Sequence, residues 1–196
     1  MKSLLLALAA STTLAAAASA APVKYEIDPG HTYPSFTADH MGGLSKWRGK
    51  INKSSGSITL DTAAQTGTVD VTMDMKEIDF GHEKMNEHAR SPDIFDVEKF
   101  PTATYTGKLV NFKNGVPTEV EGSLTLHGVT KPVKLKINQF LCKPHPMLKK
   151  EVCGADASGK IDREEFGVSY GKAYGFEQQV ELQIQVEALK AGSEVS

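Results

Sequence analysis

An all-β protein of eight or nine antiparallel strands with short connections is what this 196-residue sequence predicts. Three observations carry that expectation. Apolar residues recur at every second position in stretch after stretch, most cleanly at Val69, Val71, Met73 and Met75 and again at Val180, Leu182, Ile184 and Val186, which is the period of a half-buried strand. Turn-forming residues separate these stretches. One segment, His82–Arg90, is charged and lacks β-branched residues, and it suits a short surface helix of about two turns.

In chain order, Met1–Ala20 begins with Lys2, continues through a mainly apolar Leu4–Leu14 and ends in the small residues Ala18-Ser19-Ala20. That is the pattern of a cleaved secretory leader, with an apolar part too short for a membrane span. One exported domain over residues 21–196 is expected to follow. Val23, Tyr25 and Ile27 read as a strand stopped by Asp28-Pro29-Gly30, and His31–His40 as a second extended piece ending at Met41-Gly42-Gly43. Trp47–Ile51 and Ser57–Leu60 come next, followed by the longer run to Met75. The helix stops before Ser91-Pro92, and Asp93–Phe100 returns the chain through Ile94 and Phe95. This insertion is expected over one end of the sheet.

Ala103, Tyr105, Gly107 and Leu109 alternate again, and Asn114-Gly115 favours a tight turn. Val120, Leu124 and Leu126, then Val133, Leu135 and Ile137, form a two-faced hairpin around His127–Pro132. Gly128 suits a positive φ, and pairing is expected to restart only after Pro132, which has no N–H. An irregular loop from Cys142 to Cys153 should precede two last strands, roughly Ala155–Val168 and Gln178–Ala188, and a frayed polar tail from Lys190. A closed barrel or a sandwich are the ordinary ways to arrange such strands.

The formal net charge of −2 leaves no basic footprint for nucleic acid. Export to an oxidising compartment predicts a disulfide between Cys142 and Cys153, the two cysteines of the chain. The segment from Gly154 to Glu165 matches part of a calcium-loop spacing, but its first ligand position is Gly154 and its flanks are not helical. His82 and His88 would point about 240° apart on a helix and cannot form a metal pair. No nucleophile elbow or phosphate-binding glycine loop is present, so nothing in the motifs supports an enzyme, a metal or a cofactor. What remains is apolar surface: Phe36, Trp47, Met73, Tyr105, Leu124, Leu126, Ile161 and Phe166. Such groups fill a dry core or line a pocket, and periodicity does not choose between the two.

Four stretches do more. Trp47-Arg48-Gly49, Phe95–Thr104 (FDVEKFPTAT), Leu124–Val133 (LTLHGVTKPV) and Ile161-Asp162-Arg163 with Phe166-Gly167 resemble those of the YceI-like family of exported lipid-binding proteins. The resemblance spans nearly the whole chain after the leader. It implies an eight-stranded antiparallel, lipocalin-like barrel with one short helical insertion, located in the periplasm. The barrel would enclose a polyisoprenoid or similar long-chain amphiphile, of quinone or polyprenyl phosphate type, without catalysis and with no cofactor beyond that lipid. Val71, Phe95, Val133 and Leu135 then join the candidate wall, while Asp39, His40 and Arg163 become head-group candidates at its mouth. The Cys142–Cys153 loop departs from shorter members and bears on ligand type if it lies near that mouth. The competing classes are an interaction or stress-related module with a packed interior, docking through residues 82–100 and the disulfide loop as a possible homodimer, and a small-molecule enzyme.

Overall fold

A computed structural model describes residues 21–192. The expected leader and the last four residues of the tail lie outside the described residues. Among the described residues there are eleven strand segments and one α-helix, besides short 3-10 turns: β1 (Val23–Ile27), β2 (Tyr33–His40), β3 (Ser45–Ile51), β4 (Ser54–Asp61), β5 (Thr66–Asp74), β6 (Ile78–Asp79), α1 (Glu83–Arg90), β7 (Thr102–Val110), β8 (Glu119–Leu126), β9 (Val129–Pro144), β10 (Glu151–Asp162) and β11 (Gln179–Lys190). The ring β1-β4-β5-β7-β8-β9-β10-β11 closes through the pairing of β1 with β11. The wall is thus the expected eight-stranded antiparallel barrel.

The three remaining segments continue wall strands rather than adding to their number. Along one edge of β11, Tyr25–Ile27 pair with Ala188–Lys190 and Tyr33–Ala38 pair with Val180–Gln185. β1 and β2 are therefore one strand broken at the Asp28–Thr32 turn. At the break the Asp28 N–H still donates to the Glu187 carbonyl at 2.9 Å, and the buried Thr32 hydroxyl adds to it, accepting from the Glu187 N–H and donating to its carbonyl, both at 3.1 Å. In the same way β4 continues β3 past Asn52-Lys53, and β6 continues β5 past the one-turn 3-10 helix Met75–Glu77. Met75, read as a strand residue, is buried in that turn.

Several expectations about connections need correction. Pairing of β8 with β9 begins at Leu126↔Val129, directly across His127-Gly128, and runs through Ser123↔Pro132. His127 (φ 51°) and Gly128 (φ 75°) make a two-residue turn, whose sense matches strand twist. Alternation from that turn makes Ser123 and Pro132 a non-hydrogen-bonded pair, so the missing N–H points away from β8. On that side β10 is not in register with β9 before Lys136. The supposed irregular loop is mostly strand: only residues 145–150 separate β9 from β10, and Cys142 faces Cys153 across the ladder in a disulfide. The strand expected to reach Val168 stops at Asp162, whose side chain caps a 3-10 turn over Arg163–Phe166. β11 holds through Lys190, and the Ala191 N–H still donates to the Lys24 carbonyl.

The bridge closes a loop of 11 residues' separation, so reduction, or Cys142→Ser with Cys153→Ser, should lower unfolding stability by about 3 kcal/mol. Urea unfolding with and without reductant measures this, and coincident curves would contradict it.

Candidate functional site

Alternation along the wall strands turns one set of side chains inward, and these do not fill the barrel. They enclose a cavity of about 410 Å³, within the ~300–1,000 Å³ of small-ligand pockets. Val180, Leu182, Ile184 and Val186 of β11 all border it, a run of about 20 Å along the strand. Space remains because several inward positions carry little side chain. Ala38, Ala103, Ala155 and Ala157 border the cavity, and Gly49 lies under the Phe36 ring, where a Cβ would come within 2.5 Å of Cζ. Gly122 likewise accommodates Tyr105, whose hydroxyl crosses it to donate to the Val133 carbonyl at 2.9 Å. Burial pushes that phenol up to about 12.

The lower end is closed. Tyr25, Ile27, Leu60, Cys153 and Ala188 are buried there in one apolar cluster, and the Tyr25 hydroxyl donates to Glu151 at 2.6 Å. The disulfide belongs to this floor, so the Cys142–Cys153 segment lies far from the polar mouth. An extra residue in β9 shapes the wall just above it. The register with β10 shifts between Ile137 and Gln139, leaving Asn138 unpaired, and the bulge turns Phe140 inward, onto the cavity.

Polar groups collect at the upper end. Helix α1 crosses it, started by His82, whose Nδ1 accepts the Met85 N–H at 3.3 Å. It is not simply a surface helix, since Asn86 and Ala89 are buried. The Asn86 side chain accepts the Phe80 N–H at 2.7 Å and donates to Asp79 at 3.0 Å. Asp79 also accepts from the Gly81 N–H and from Asn52, and these bonds, the Gly81 N–H foremost, lower its pKa. The fastening aims Met85 and His88 at the cavity, with the His88 ring edge-on to Tyr170 at 4.7 Å.

A second fastening joins the β2–β3 tip to residues 163–178. The Asp39 carboxylate accepts N–H groups from Gly43 at 2.7 Å, Gly42 at 2.9 Å and Glu177 at 3.1 Å. These donors, Glu177 foremost, hold its pKa below the ordinary carboxylate value. Beside it, His40 stands edge-on to Phe176 at 5.0 Å. Arg163 donates to the Val168 carbonyl at 2.9 Å and the Tyr170 carbonyl at 2.7 Å, and burial lowers its pKa against the pull of Asp162, Asp39 and Glu164.

Of the residues expected in the wall, Phe36, Trp47, Val71, Met73, Phe95 and Tyr105 border the cavity, as do Leu124, Leu126, Val133, Leu135 and Ile161. Phe166 does not border it. Off the end of its expected strand, that ring is packed into the core with 1% exposure. The structure brings Asp39, His40 and Arg163 together at the mouth, with both Asp39 oxygens already engaged by backbone N–H groups. Phe80, Met85, His88, Tyr170 and Phe176 also line the upper cavity, although no sequence pattern singles them out. The alternating face of β11 was visible as a pattern, whereas Phe140 depends on the bulge.

A profile of YceI-like domains matches residues 25–188. The chain belongs to the YceI-like family. Protein YceI of Salmonella arizonae is 33% identical over 195 residues, 97% of this chain and 99% of its own. Burkholderia cenocepacia BcnA superposes with a TM-score of 0.65 at 20% identity, over 83% of this chain and 99% of its own. A polyisoprenoid binding domain from Saccharophagus degradans superposes at 0.58 and 13% identity, over 85% and 98%. At these identities the two solved structures share the fold.

In this YceI-like barrel, three of the four recognisable stretches meet at one corner. The Phe100 ring lies 4.3 Å from the His127 ring, a Cβ on Gly128 would strike it at 2.7 Å, and Gly167 closes on the His127 Nδ1 from the other side. That corner is a packing motif beside the mouth.

The lowered pKa of Asp39 means that its contribution is complete above about pH 4 and is lost as the pH falls through the folded value. Acidification from about pH 4 down through the folded value should therefore loosen the mouth loops, read by the single Trp47, and Asp39→Asn should abolish this step in a fluorescence titration. Identical titrations for the two proteins would contradict it.

Proposed function

We propose that this YceI-like protein holds a long-chain apolar amphiphile of polyisoprenoid type in its barrel and stores or carries it in the periplasm. The observation that carries this is the polarity of the cavity: an apolar shaft closed below by Tyr25, Ile27 and Leu60, with His40, His88 and Arg163 at its upper end. A tail fits the shaft and a head group, of quinone or polyprenyl phosphate type, fits the mouth. The YceI-like membership and the polyisoprenoid-binding neighbour support the same ligand class. The leader-like residues 1–20 support export.

Burying ten chain carbons is worth roughly 8 kcal/mol before ordering costs. Forty would sum to about 32 kcal/mol, beyond known non-covalent affinities, so a long tail is only partly buried or its gain is largely cancelled. The wall should therefore discriminate poorly among long apolar chains, leaving selectivity to the mouth.

Lipid extraction of the purified protein followed by mass spectrometry should recover a long-chain species near one per barrel. No stoichiometric apolar ligand would sink the carrier reading. Leu182→Trp, which fills the shaft from β11, should keep the strand circular dichroism and weaken uptake of the fluorescent probe cis-parinaric acid about tenfold, the equivalent of roughly two buried methylenes. Unchanged uptake would place binding elsewhere.

A further inference from the structure

We propose that the two loops at the cavity mouth, residues 41–44 and 170–175, form a docking surface for a lipid bilayer. The inference rests on the carrier reading and adds where the ligand crosses. Leu44 is 73% exposed, Tyr174 72% and Met41 53%, an unusual display for residues held in ordered loops. Both loops are tied down. Asp39 binds N–H groups of Gly42 and Gly43 on one and of Glu177 beyond the other. The tips also touch, since a Cβ on Gly42 would lie 3.1 Å from the Gly175 carbonyl. The apolar tips thus project as one preformed wedge.

Three features favour a bilayer over other occupants. The wedge borders the opening, because Tyr170 lines the cavity while Tyr174 points to solvent, so an apolar chain passing between membrane and shaft avoids water. The charges nearest the tips are partly balanced, Lys172 by Glu164 and Lys46, together with Lys160, by Glu181 at 4.0 Å, which lowers the cost of bringing the tips to an apolar layer. A few side chains on two narrow tips fall short of the ~800 Å² that each partner of a stable dimer buries. Such tips do suit shallow insertion, where apolar groups sink about 5–10 Å and a tyrosine ring bridges apolar and polar layers.

The test uses the chain from Ala21 onward, whose barrel closes without the leader. It is sedimented with phosphatidylcholine vesicles, beside a variant carrying Leu44→Asp and Tyr174→Asp. Neither residue lines the cavity, so cis-parinaric acid uptake in vesicle-free buffer should be equal in both. Vesicle binding should fall about tenfold or more in the variant, with Leu44→Ser alone giving a smaller loss and high salt having little effect. Wild-type protein that takes up the probe yet ignores vesicles would overturn docking and leave the carrier reading intact. So would undiminished vesicle binding by the variant, or light scattering that shows the substitutions only dissociate a dimer. Failure of both proteins to take up the probe would instead count against the carrier reading.

Discussion

Closure of the backbone ring is the constraint on which the rest depends. Once β1 pairs with β11, the eight-strand ring is closed, and its twist and strand number set an interior width that side chains only just fill. Every inward residue then acts on a fixed volume. Alanines at 38, 103, 155 and 157, with Gly49 and Gly122 beneath aromatic rings, leave the middle open, while larger groups seal the floor. The hollow is thus a property of where small residues fall on a closed wall.

The open end is built from polar fastenings instead. Asp79 with Asn86 fixes α1, and Asp39 fixes the β2–β3 tip against the segment from Arg163 to Gln178. Carboxylates that each accept several N–H groups make strong, directional fastenings, so the aromatic and histidine side chains they carry face the cavity in defined positions. This separation of an apolar shaft from a polar rim is what makes an amphiphile the matching ligand.

The stretches by which the family is recognised have a different job. Phe100, His127, Gly128 and Gly167 interlock at the corner where the β8–β9 turn meets the chain leaving β10. A glycine at positive φ under an aromatic ring tolerates little substitution, which makes such a corner legible in sequence without its touching the cavity. Other members of the recognisable set do reach the lumen: Trp47, Phe95, Ala103, Leu124, Leu126, Val133, Ile161 and Arg163.

By itself the sequence determined the all-β class, the inward face of most strands and the partnership of Cys142 with Cys153, because period-two alternation and cysteine number are local properties that survive any arrangement of neighbours. Only the tertiary structure decided that β1 and β2 are one broken strand, that Phe140 faces inward past the Asn138 bulge, and that Phe166 belongs to the core. It also brought Phe80, His88, Tyr170 and Phe176 from separate segments to one opening. Register shifts and loop docking depend on hydrogen bonds between residues far apart in the chain, such as Asp39 to Glu177 or Thr32 to Glu187, and no local pattern encodes a bond whose two halves are separated by most of the protein.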